Sequence, residues 1–407
     1  MAEEKGRTLK DARAGDPVAL ARALVATPSV NPEIEESGAG EAEVAELTAG
    51  WLRAWGLSVE MSEVAAGRWN VVGRLEGDGD GPTLLLNGHL DTVGVTGMTV
   101  EPFGGELQDG RLWGRGACDM KGGVAALLAA TAEVARDPLP GTLVVALTAD
   151  EEHASLGMES LVRSGMSADA AVICEPTGLA VMPAHKGFVW LEVAFRGRAA
   201  HGSRPDAGID AIEHAGHYLT ALGALRSRLR AGEPHPLLGH GSFHAGTIDG
   251  GSAPSVYPDV CRLVLERRTL PGEGAAGVVD EFQAILDDLA AVVPEFDAKL
   301  TQGLARPATE IRNDSPLVAG LLAACAAEGV DPMLAGMTAW VDAAFLNQAG
   351  TPSVCFGPGS IAQAHSADEW IECSEIVTCA AVLERFSHAF LQGDPGEMVT
   401  DVLAEAG

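Results

Sequence analysis

Three short apolar segments of the sequence each run into acidic residues or a histidine. The segments and the residues that follow them are 83–86 with His89 and Asp91, 142–147 with Glu151 and Glu152, and 169–174 with Glu175. Short apolar runs bounded by turn residues predict buried strands. In open α/β sheets, ligands bind where parallel strands end at their carboxyl edge. The sequence therefore predicts an α/β fold with a mostly parallel central sheet, helices on both faces, and polar side chains gathered at one sheet edge.

A fourth candidate position is Asp119, which stands among glycines immediately before an apolar helix pattern. Gly116, Gly122 and Gly123 lie close to it in the chain. Small residues permit unusual backbone geometry and close approach to a ligand. An ordinary helix N-cap would also explain an Asp at this position. The acidic strand ends favour the ligand interpretation, because adjacent carboxylates repel one another unless protons or a cation neutralise them.

The length of the chain and a change of pattern near residue 187 indicate two domains. A chain of 407 residues is long for one hydrophobic core. Residues 16–56 have helical spacing, whereas residues 187–301 follow the order strand, helix, strand, strand, helix, strand. This second order predicts an α+β sandwich. We therefore expect a first, discontinuous domain of residues 1–186 and 302–407, interrupted by an inserted domain at 187–301.

Charge and cysteine usage narrow the class of protein. The chain has 57 acidic and 27 basic residues, a formal charge of −30, which argues against nucleic acid or an anionic membrane as a partner. The seven cysteines are scattered without a C-x-x-C pair, as expected for reduced thiols in the cytosol. The first residues lack the apolar core of a signal peptide, and no apolar run is long enough for a membrane helix. These features predict a soluble cytoplasmic protein.

Five side chains are candidate metal ligands. They are His89, Asp119, Glu152, Glu175 and His365. Five groups of this kind suit two divalent ions that share one carboxylate, and mixed nitrogen and oxygen ligation is typical of catalytic metal sites. Such a pair of ions activates a water molecule and polarises the carbonyl of an amide. Glu151, next to a ligand in the chain, is then a natural general base.

At these residues the sequence resembles the M20 family of metallopeptidases and deacylases. This family includes acetylornithine deacetylase, succinyl-diaminopimelate desuccinylase, aminoacylase-1 and glutamate-releasing carboxypeptidases. The resemblance covers about residues 15–390. It is carried by Gly88-His89-Leu90-Asp91, Gly116-Ala117-Cys118-Asp119-Met120-Lys121-Gly122, Asp150-Glu151-Glu152, Glu175-Pro176-Thr177, and Ala364-His365-Ser366 after Gly357-Pro358-Gly359.

The resemblance implies a role for each residue of the metal site. His89 and Glu175 would hold one ion, and Glu152 and His365 the other. Asp119 would bridge the two ions and be followed by a cis peptide bond. Asp91 would orient His89, and Glu151 would move the proton. The implied ions are two Zn²⁺, with Co²⁺ or Mn²⁺ as alternatives.

The resemblance also implies that the inserted domain, residues 187–301, serves as a lid or dimerisation domain and carries most of the substrate-binding residues. His201 matches the histidine that stabilises the oxyanion, often across a dimer interface, and Arg268 matches the arginine that grips the substrate carboxylate. From the residues alone, His201 would be a turn residue and Arg268 an exposed charge on a strand. Ser255 stands where many relatives carry Asn, which leaves a hydroxyl of shorter reach. Gly357 and Gly359 are expected to contact the substrate.

The sequence thus predicts a di-zinc amidohydrolase that cleaves N-acyl amino acids and resembles acetylornithine deacetylase. The expected mechanism is attack by metal-bound hydroxide with Glu151 as general base. The expected partner is a small N-acyl amino acid or short peptide, and a homodimer through the inserted domain is expected. The alternative is a metallo-carboxypeptidase or dipeptidase of the same family. A non-catalytic metal-binding relative is a further alternative, which the intact Glu151 argues against.

Overall fold

The computed structural model describes residues 10–393, which divide into two compact units. The second unit consists of Ala184–Glu310 and Gly336–Trp340, and the first unit takes in the described chain outside these two ranges. The end expected at residue 301 falls inside strand Asp297–Arg306, which pairs with strand Gly187–Arg196. This pairing extends the second unit beyond the expected boundary. Residues 1–9 and 394–407 of the expected first domain lie outside the described residues.

Strands outnumber helices in the described part of the chain. The strands are β1 (Ser58–Ala65), β2 (Arg68–Leu75), β3 (Thr83–His89), β4 (Glu106–Gln108), β5 (Arg111–Trp113), β6 (Thr142–Thr148), β7 (Ala170–Ile173), β8 (Val181–His185), β9 (Gly187–Arg196), β10 (Ser242–Gly250), β11 (Val260–Thr269), β12 (Asp297–Arg306), β13 (Thr309–Glu310), β14 (Leu334–Met337), β15 (Ser353–Cys355) and β16 (Trp370–Glu372). The α-helices are Pro17–Val25, Ala42–Ala54, Gly122–Val134, Leu156–Arg163, Ala211–Ala231, Ala275–Val292, Pro316–Ala327, Ala343–Gln348 and Cys373–Leu391. Within residues 10–393, no helix has both the length and the apolar character needed to cross a membrane.

The first unit contains the predicted α/β sheet, with a mixed rather than mostly parallel strand pattern. Its strand order includes β1-β2-β6-β3-β7-β15-β8. The four central strands β6, β3, β7 and β15 run parallel, whereas β1, β2 and β8 pair in the antiparallel sense. Only two residues connect β1 to β2, a length that permits a hairpin but not a parallel crossover. The α/β class is confirmed, and the parallel part is confined to the centre.

The helix Gly122–Val134 is buried on nearly all sides and brings its first residues against the sheet edge. It packs against the helices Pro17–Val25 and Cys373–Leu391. A side chain at Gly123 would place its Cβ 1.9 Å from the carbonyl oxygen of Cys174, directly after β7. Glycine at this position therefore allows the helix start to approach the strand end.

The region 16–56 is less helical than its spacing predicts. Two helices, Pro17–Val25 and Ala42–Ala54, are separated by an irregular segment that contains Pro28 and Pro32. Proline removes a backbone donor and restricts the residue before it, so it disfavours a continuous helix. The irregular segment carries Asn31, which is buried.

The second unit is a four-stranded antiparallel sheet with two helices. The strand order is β10-β11-β9-β12, and the helices are Ala211–Ala231 and Ala275–Val292. The order of elements along the chain is the predicted one. Alternate residues of β9, such as Leu191, Val193 and Phe195, are buried in the core that this sheet shares with the helices. This sheet is built on its own core, distinct from that of the first unit.

Candidate metal centre

Parallel strand ends gather the predicted ligands of the first unit at one sheet edge. His89 is the last residue of β3, Glu151 and Glu152 follow β6, and Glu175 follows β7. Since these three strands are parallel neighbours, their carboxyl ends lie side by side. Asp119 lies in an irregular turn, Ala117–Lys121, and the Asp119–Met120 peptide bond is cis, as the resemblance implied.

The two oxygens of Asp119 face two different histidines. Asp119 Oδ1 lies 3.2 Å from His89 Nε2, and Asp119 Oδ2 lies 3.4 Å from His365 Nε2. Each histidine has a further carboxylate nearby: His365 Nε2 is 2.9 Å from Glu152 Oε2, and His89 Nε2 is 4.0 Å from Glu175 Oε1. The structure thus brings all five predicted ligands together, with Asp119 in the middle.

Two overlapping groups in this cluster have metal-binding spacing. One is His89, Asp119 and Glu152, and the other is His89, Glu151 and Glu175; within each group the ligand atoms lie within 4.8 Å of one another. Glu151, which was predicted to act as a base, therefore lies close enough to serve as a ligand. Its role as the base remains a prediction.

The electrostatics of the cluster fit a divalent cation. Within the described residues, none of its four carboxylates pairs with a lysine or arginine, and the buried Glu152 Oε1 has no hydrogen-bond partner. Burial, together with the charge of Asp119, raises the pKa of Glu152 to about 7 and the pKa of Glu175 well above its ordinary value. Burial and the nearby Glu175 similarly raise the pKa of Glu151. A cation would relieve this cost, and imidazole and carboxylate ligands without thiolate suit Zn²⁺, Co²⁺ or Mn²⁺.

Asp91 holds the cluster through several hydrogen bonds. His89 Nδ1 donates to the main-chain carbonyl of Asp91 at 2.9 Å and lies 3.6 Å from its carboxylate. A ring nitrogen that donates in this way leaves Nε2 as the metal-binding atom. The Asp91 carboxylate accepts from the backbone N–H groups of Glu151 and Glu152 at 3.1 and 3.2 Å. Asp91 therefore contacts His89 and the acidic loop together, consistent with the predicted orienting role.

Two buried residues behind the cluster escaped the sequence interpretation. The Asn31 side chain donates to the Asp91 carboxylate at 2.8 Å and to the Asp150 carboxylate at 3.0 Å. Glu369 accepts from the backbone N–H of Asp119 at 3.0 Å. Asn31 has no local signal, since its partners are far away in the chain. Glu369 could have been noticed as an acid four residues after a candidate ligand, beside a tryptophan.

Two buried charged residues, Arg68 and Glu41, also contact Asp150 at the start of the acidic loop 150–152. Arg68 Nε donates to Glu41 Oε2 at 2.7 Å, and Arg68 Nη1 lies 3.0 Å from Asp150 Oδ1. The backbone N–H of Asp150 donates to Glu41 Oε1 at 3.2 Å. These contacts fix the residue directly before Glu151.

Gly357 and Gly359 lie in the turn after β15, and their N–H groups are used within the protein. Gly357 donates to Thr177 Oγ1 at 3.1 Å, and Gly359 donates to Glu375 Oε2 at 2.7 Å. Gly359 has φ +84°, and a Cβ there would meet Cys118 Sγ at 2.6 Å. These contacts support a structural role for the turn, and the predicted substrate contacts stay a prediction.

In the second unit, His201 and Ser255 lie on adjacent loops. The backbone N–H of Gly202 donates to the carbonyl of Ser255 at 2.7 Å. His201 is exposed, and its Nδ1 accepts from the backbone N–H of Ser203 at 3.2 Å. An accepting Nδ1 leaves the proton of a neutral imidazole on Nε2. With Nδ1 as the acceptor, Nε2 is the ring nitrogen of His201 that can donate an N–H.

Arg268 lies near the end of β11 and is partly exposed. Its Nε donates to Glu266 Oε1 at 2.7 Å, and its guanidinium lies 5.6 Å from the ring centre of Phe188. Trp190 Nε1 donates to the other oxygen of Glu266 at 3.0 Å. The guanidinium is therefore held in place by an acid and an aromatic ring.

Comparison with known proteins adds independent findings. The sequence model of peptidase family M20/M25/M40 matches residues 85–389. Acetylornithine deacetylase from Myxococcus xanthus is 33% identical over 353 residues, covering 84% of this chain and 90% of that protein. The enzyme of the same name from Edwardsiella ictaluri is 32% identical over 390 residues, covering 92% of this chain and 98% of that protein.

Solved structures share the fold at lower identity. Aminopeptidase PepT from Bacillus cereus superposes with a TM-score of 0.77 at 20% identity, covering 93% of this chain and 98% of that one. The Bacillus subtilis YXEP protein, described as a dinuclear metal-binding peptidase, gives a TM-score of 0.71 at 18% identity and covers 94% and 99%. At these identities the likeness shows the fold alone.

Proposed function

The chain belongs to peptidase family M20/M25/M40 and is a metal-dependent amide hydrolase, and we propose that it uses two zinc ions to remove the acyl group from N-acyl amino acids. The observation that carries the substrate class is the match to acetylornithine deacetylases over 84% and 92% of the chain. The peptidases of similar fold are less than 25% identical, so they bear on architecture rather than on substrate. A carboxypeptidase or dipeptidase is the alternative within the same family.

The metal ligands in this proposal are the five residues of the strand-end cluster. His89, Asp119, Glu152, Glu175 and His365 would hold two divalent ions. The position of Asp119 between the two histidines supports its role as the shared ligand. When bound, such ions supply Lewis acidity toward the amide carbonyl and lower the pKa of water.

The protein's own side chains would carry out the proton transfer and bind the substrate. Glu151 would take a proton from water and deliver it to the leaving amine, a role that suits a carboxylate whose pKa is raised by burial. His201 would donate Nε2–H to the oxygen that becomes negative in the transition state. Arg268 would bind the carboxylate of the amino acid, and Ser255 would contribute a short-range hydroxyl.

We also propose that two copies of the chain assemble through the second unit. Strand β10 is at the edge of its sheet and is exposed along most of its length, with Ile248 on the surface. Ile212 and Leu219 of the helix Ala211–Ala231 are exposed as well. An exposed edge strand with apolar neighbours favours pairing with another chain. Light scattering should give a mass twice that of one chain.

The location we propose is the cytoplasm. All seven cysteines are free thiols. Free, mostly buried thiols are typical of proteins from reducing compartments. The acidic charge of the chain is likewise consistent with a small-molecule substrate rather than nucleic acid.

A substrate panel tests the proposed function. Release of free amine would be followed with N-acetylornithine, other N-acetyl amino acids, N-succinyl-diaminopimelate and dipeptides, using chelator-treated protein before and after zinc or cobalt is restored. We expect metal-dependent release from the N-acyl amino acids. Release from dipeptides alone would replace the deacylase proposal with the peptidase alternative.

Replacing Arg268 by alanine should mainly weaken substrate binding. Loss of a charge-assisted hydrogen bond of about 1.5–3 kcal/mol corresponds to a rise in KM of about 10- to 100-fold for carboxylate-bearing substrates. Arg262→Ala is the matched control, because Arg262 is an exposed arginine on the same strand. A KM for Arg268→Ala equal to that of the control would remove Arg268 from the substrate site.

A further inference from the structure

The buried carboxylate of Glu369 is surrounded by hydrogen-bond donors from one short segment. Its Oε2 accepts from Arg115 Nη1 at 2.6 Å and from the backbone N–H of Gly116 at 3.0 Å. Its Oε1 accepts from the backbone N–H groups of Cys118 and Asp119 at 2.8 and 3.0 Å. Glu369 is buried. One carboxylate thus binds three backbone amides just before the Asp119 side chain.

The segment that Glu369 holds lacks regular support of its own. Gly116 is left-handed at φ +77°, and Asp119 has non-helical angles of φ −121° and ψ 96° inside the turn. Such a turn cannot rely on a continuous helical ladder to fix its backbone amides. The contacts to Glu369 replace that ladder for Gly116, Cys118 and Asp119.

The contacts with Glu369 bear on the position of the Asp119 side chain. Its two oxygens approach His89 and His365 at 3.2 and 3.4 Å, so a small rotation of the turn would move both contacts at once. Glu369 also follows His365 by four residues in the chain. It therefore connects the segment that carries one candidate ligand to the turn that carries the shared one.

Burying the charge of Glu369 beside the acidic candidate ligands costs free energy unless hydrogen-bond donors and a positive charge compensate it. Arg115 offsets the charge of Glu369, and Arg115 Nε donates in turn to the carbonyl of Gly94 at 2.9 Å. An apolar side chain at position 369 would avoid the buried charge but leave three amides without acceptors. The buried ion pair between Glu369 and Arg115 therefore lies where Glu369 can order the turn before Asp119.

We propose that Glu369 is a positioning residue, whose carboxylate fixes the backbone of residues 116–119 and thereby holds the two oxygens of Asp119 toward His89 and His365, where the two ions would bind. This inference rests on the proposed two-metal function. It assigns no contact between Glu369 and substrate or metal.

The substitution Glu369→Gln distinguishes a positioning role of the carboxylate from a role in which the side chain only fills space. Each oxygen of Glu369 accepts from two donors. Glutamine has nearly the same shape, but its NH₂ group would face two N–H donors instead of accepting from them. The turn must shift to relieve that conflict, and Asp119 shifts with it.

Zinc binding to Glu369→Gln is the test, with Glu372→Gln as the matched control. Glu372 is on the adjacent strand β16 and pairs with Arg111 at 2.8 Å, away from the three amides. Titration calorimetry on chelator-treated protein would give the affinity and number of zinc ions, and cobalt absorption spectra would report their coordination. Thermal unfolding without metal would report the fold.

We expect Glu369→Gln to bind zinc about 10- to 100-fold more weakly, the usual effect of removing a group that orients a ligand. The cobalt spectrum should change, and Glu372→Gln should match the wild type. If Glu369→Gln does not fold, Glu369→Asp keeps the charge with a shorter reach and should show a smaller loss of the same kind.

Two results would overturn the inference in different ways. Wild-type zinc affinity and an unchanged cobalt spectrum in a folded Glu369→Gln protein would make Glu369 a purely structural residue. Failure of the wild-type protein itself to bind two ions would overturn the two-metal proposal on which the inference rests.

Discussion

Glu151→Gln is expected to keep both of the proposed zinc ions and lose about 10²- to 10⁴-fold in kcat, the range for loss of a general acid or base. The amide has nearly the shape of the carboxylate and can still fill its place, but it does not accept a proton at neutral pH. Because Glu151 lies within metal-binding distance of His89 and Glu175, this substitution separates the two roles that the geometry permits.

The measurement pairs zinc content with turnover. Zinc per chain would be determined by elemental analysis after gel filtration, and kcat would be measured on the best substrate of the panel. Glu46→Gln, at an exposed glutamate on the helix Ala42–Ala54, is the control. Loss of one ion in Glu151→Gln would make Glu151 a ligand, and unchanged turnover with both ions present would remove it from the chemistry.

Asp119→Ala is expected to abolish turnover by disrupting the proposed metal pair. Among residues 10–393, Asp119 is the one carboxylate that contacts both candidate histidines, at 3.2 and 3.4 Å. Without it, each of the two proposed ions would lose a ligand, and two like charges would lose the anion that screens them from each other. Zinc content should fall below two ions per chain, and activity should fall to background.

The control for this substitution is Asp137→Ala, at an exposed aspartate of the same unit. Circular dichroism of both proteins would establish that they are folded. Two tightly bound ions and normal turnover in Asp119→Ala would contradict the assignment of Asp119 as the shared ligand.

The sequence predicted the parts of the fold that depend on local pattern. Apolar runs located β3, β6 and β7, and the rule that ligands gather at carboxyl strand ends then placed His89, Glu152 and Glu175 at one sheet edge. The order of elements in the second unit followed from alternation and helical spacing in the same way.

Tertiary contacts explain what the sequence could not predict. The extent of β12 depends on pairing with β9, so residue 301 was a poor boundary. Asn31 contacts Asp91 and Asp150, and Glu369 contacts the turn before Asp119, across separations of 60 to 253 residues. No periodicity or motif spacing encodes such contacts, and the functional weight of a buried Asn or Glu appears only when its donors and acceptors are known.

The first unit is formed by segments of the chain before and after Ala184–Glu310, so its candidate metal ligands are synthesised at different times. His89, Asp119, Glu152 and Glu175 are all synthesised before the second unit, whereas His365 and Glu369 come after it. At roughly 5–20 residues per second, His365 follows Glu175 by about 10–40 s. During that interval the nascent chain has His89 and the four carboxylates of the cluster but lacks His365, the fifth candidate ligand, and Glu369, which holds the turn before Asp119. Capture of the proposed metal pair would therefore be a late event, which follows translation of residues 341–393.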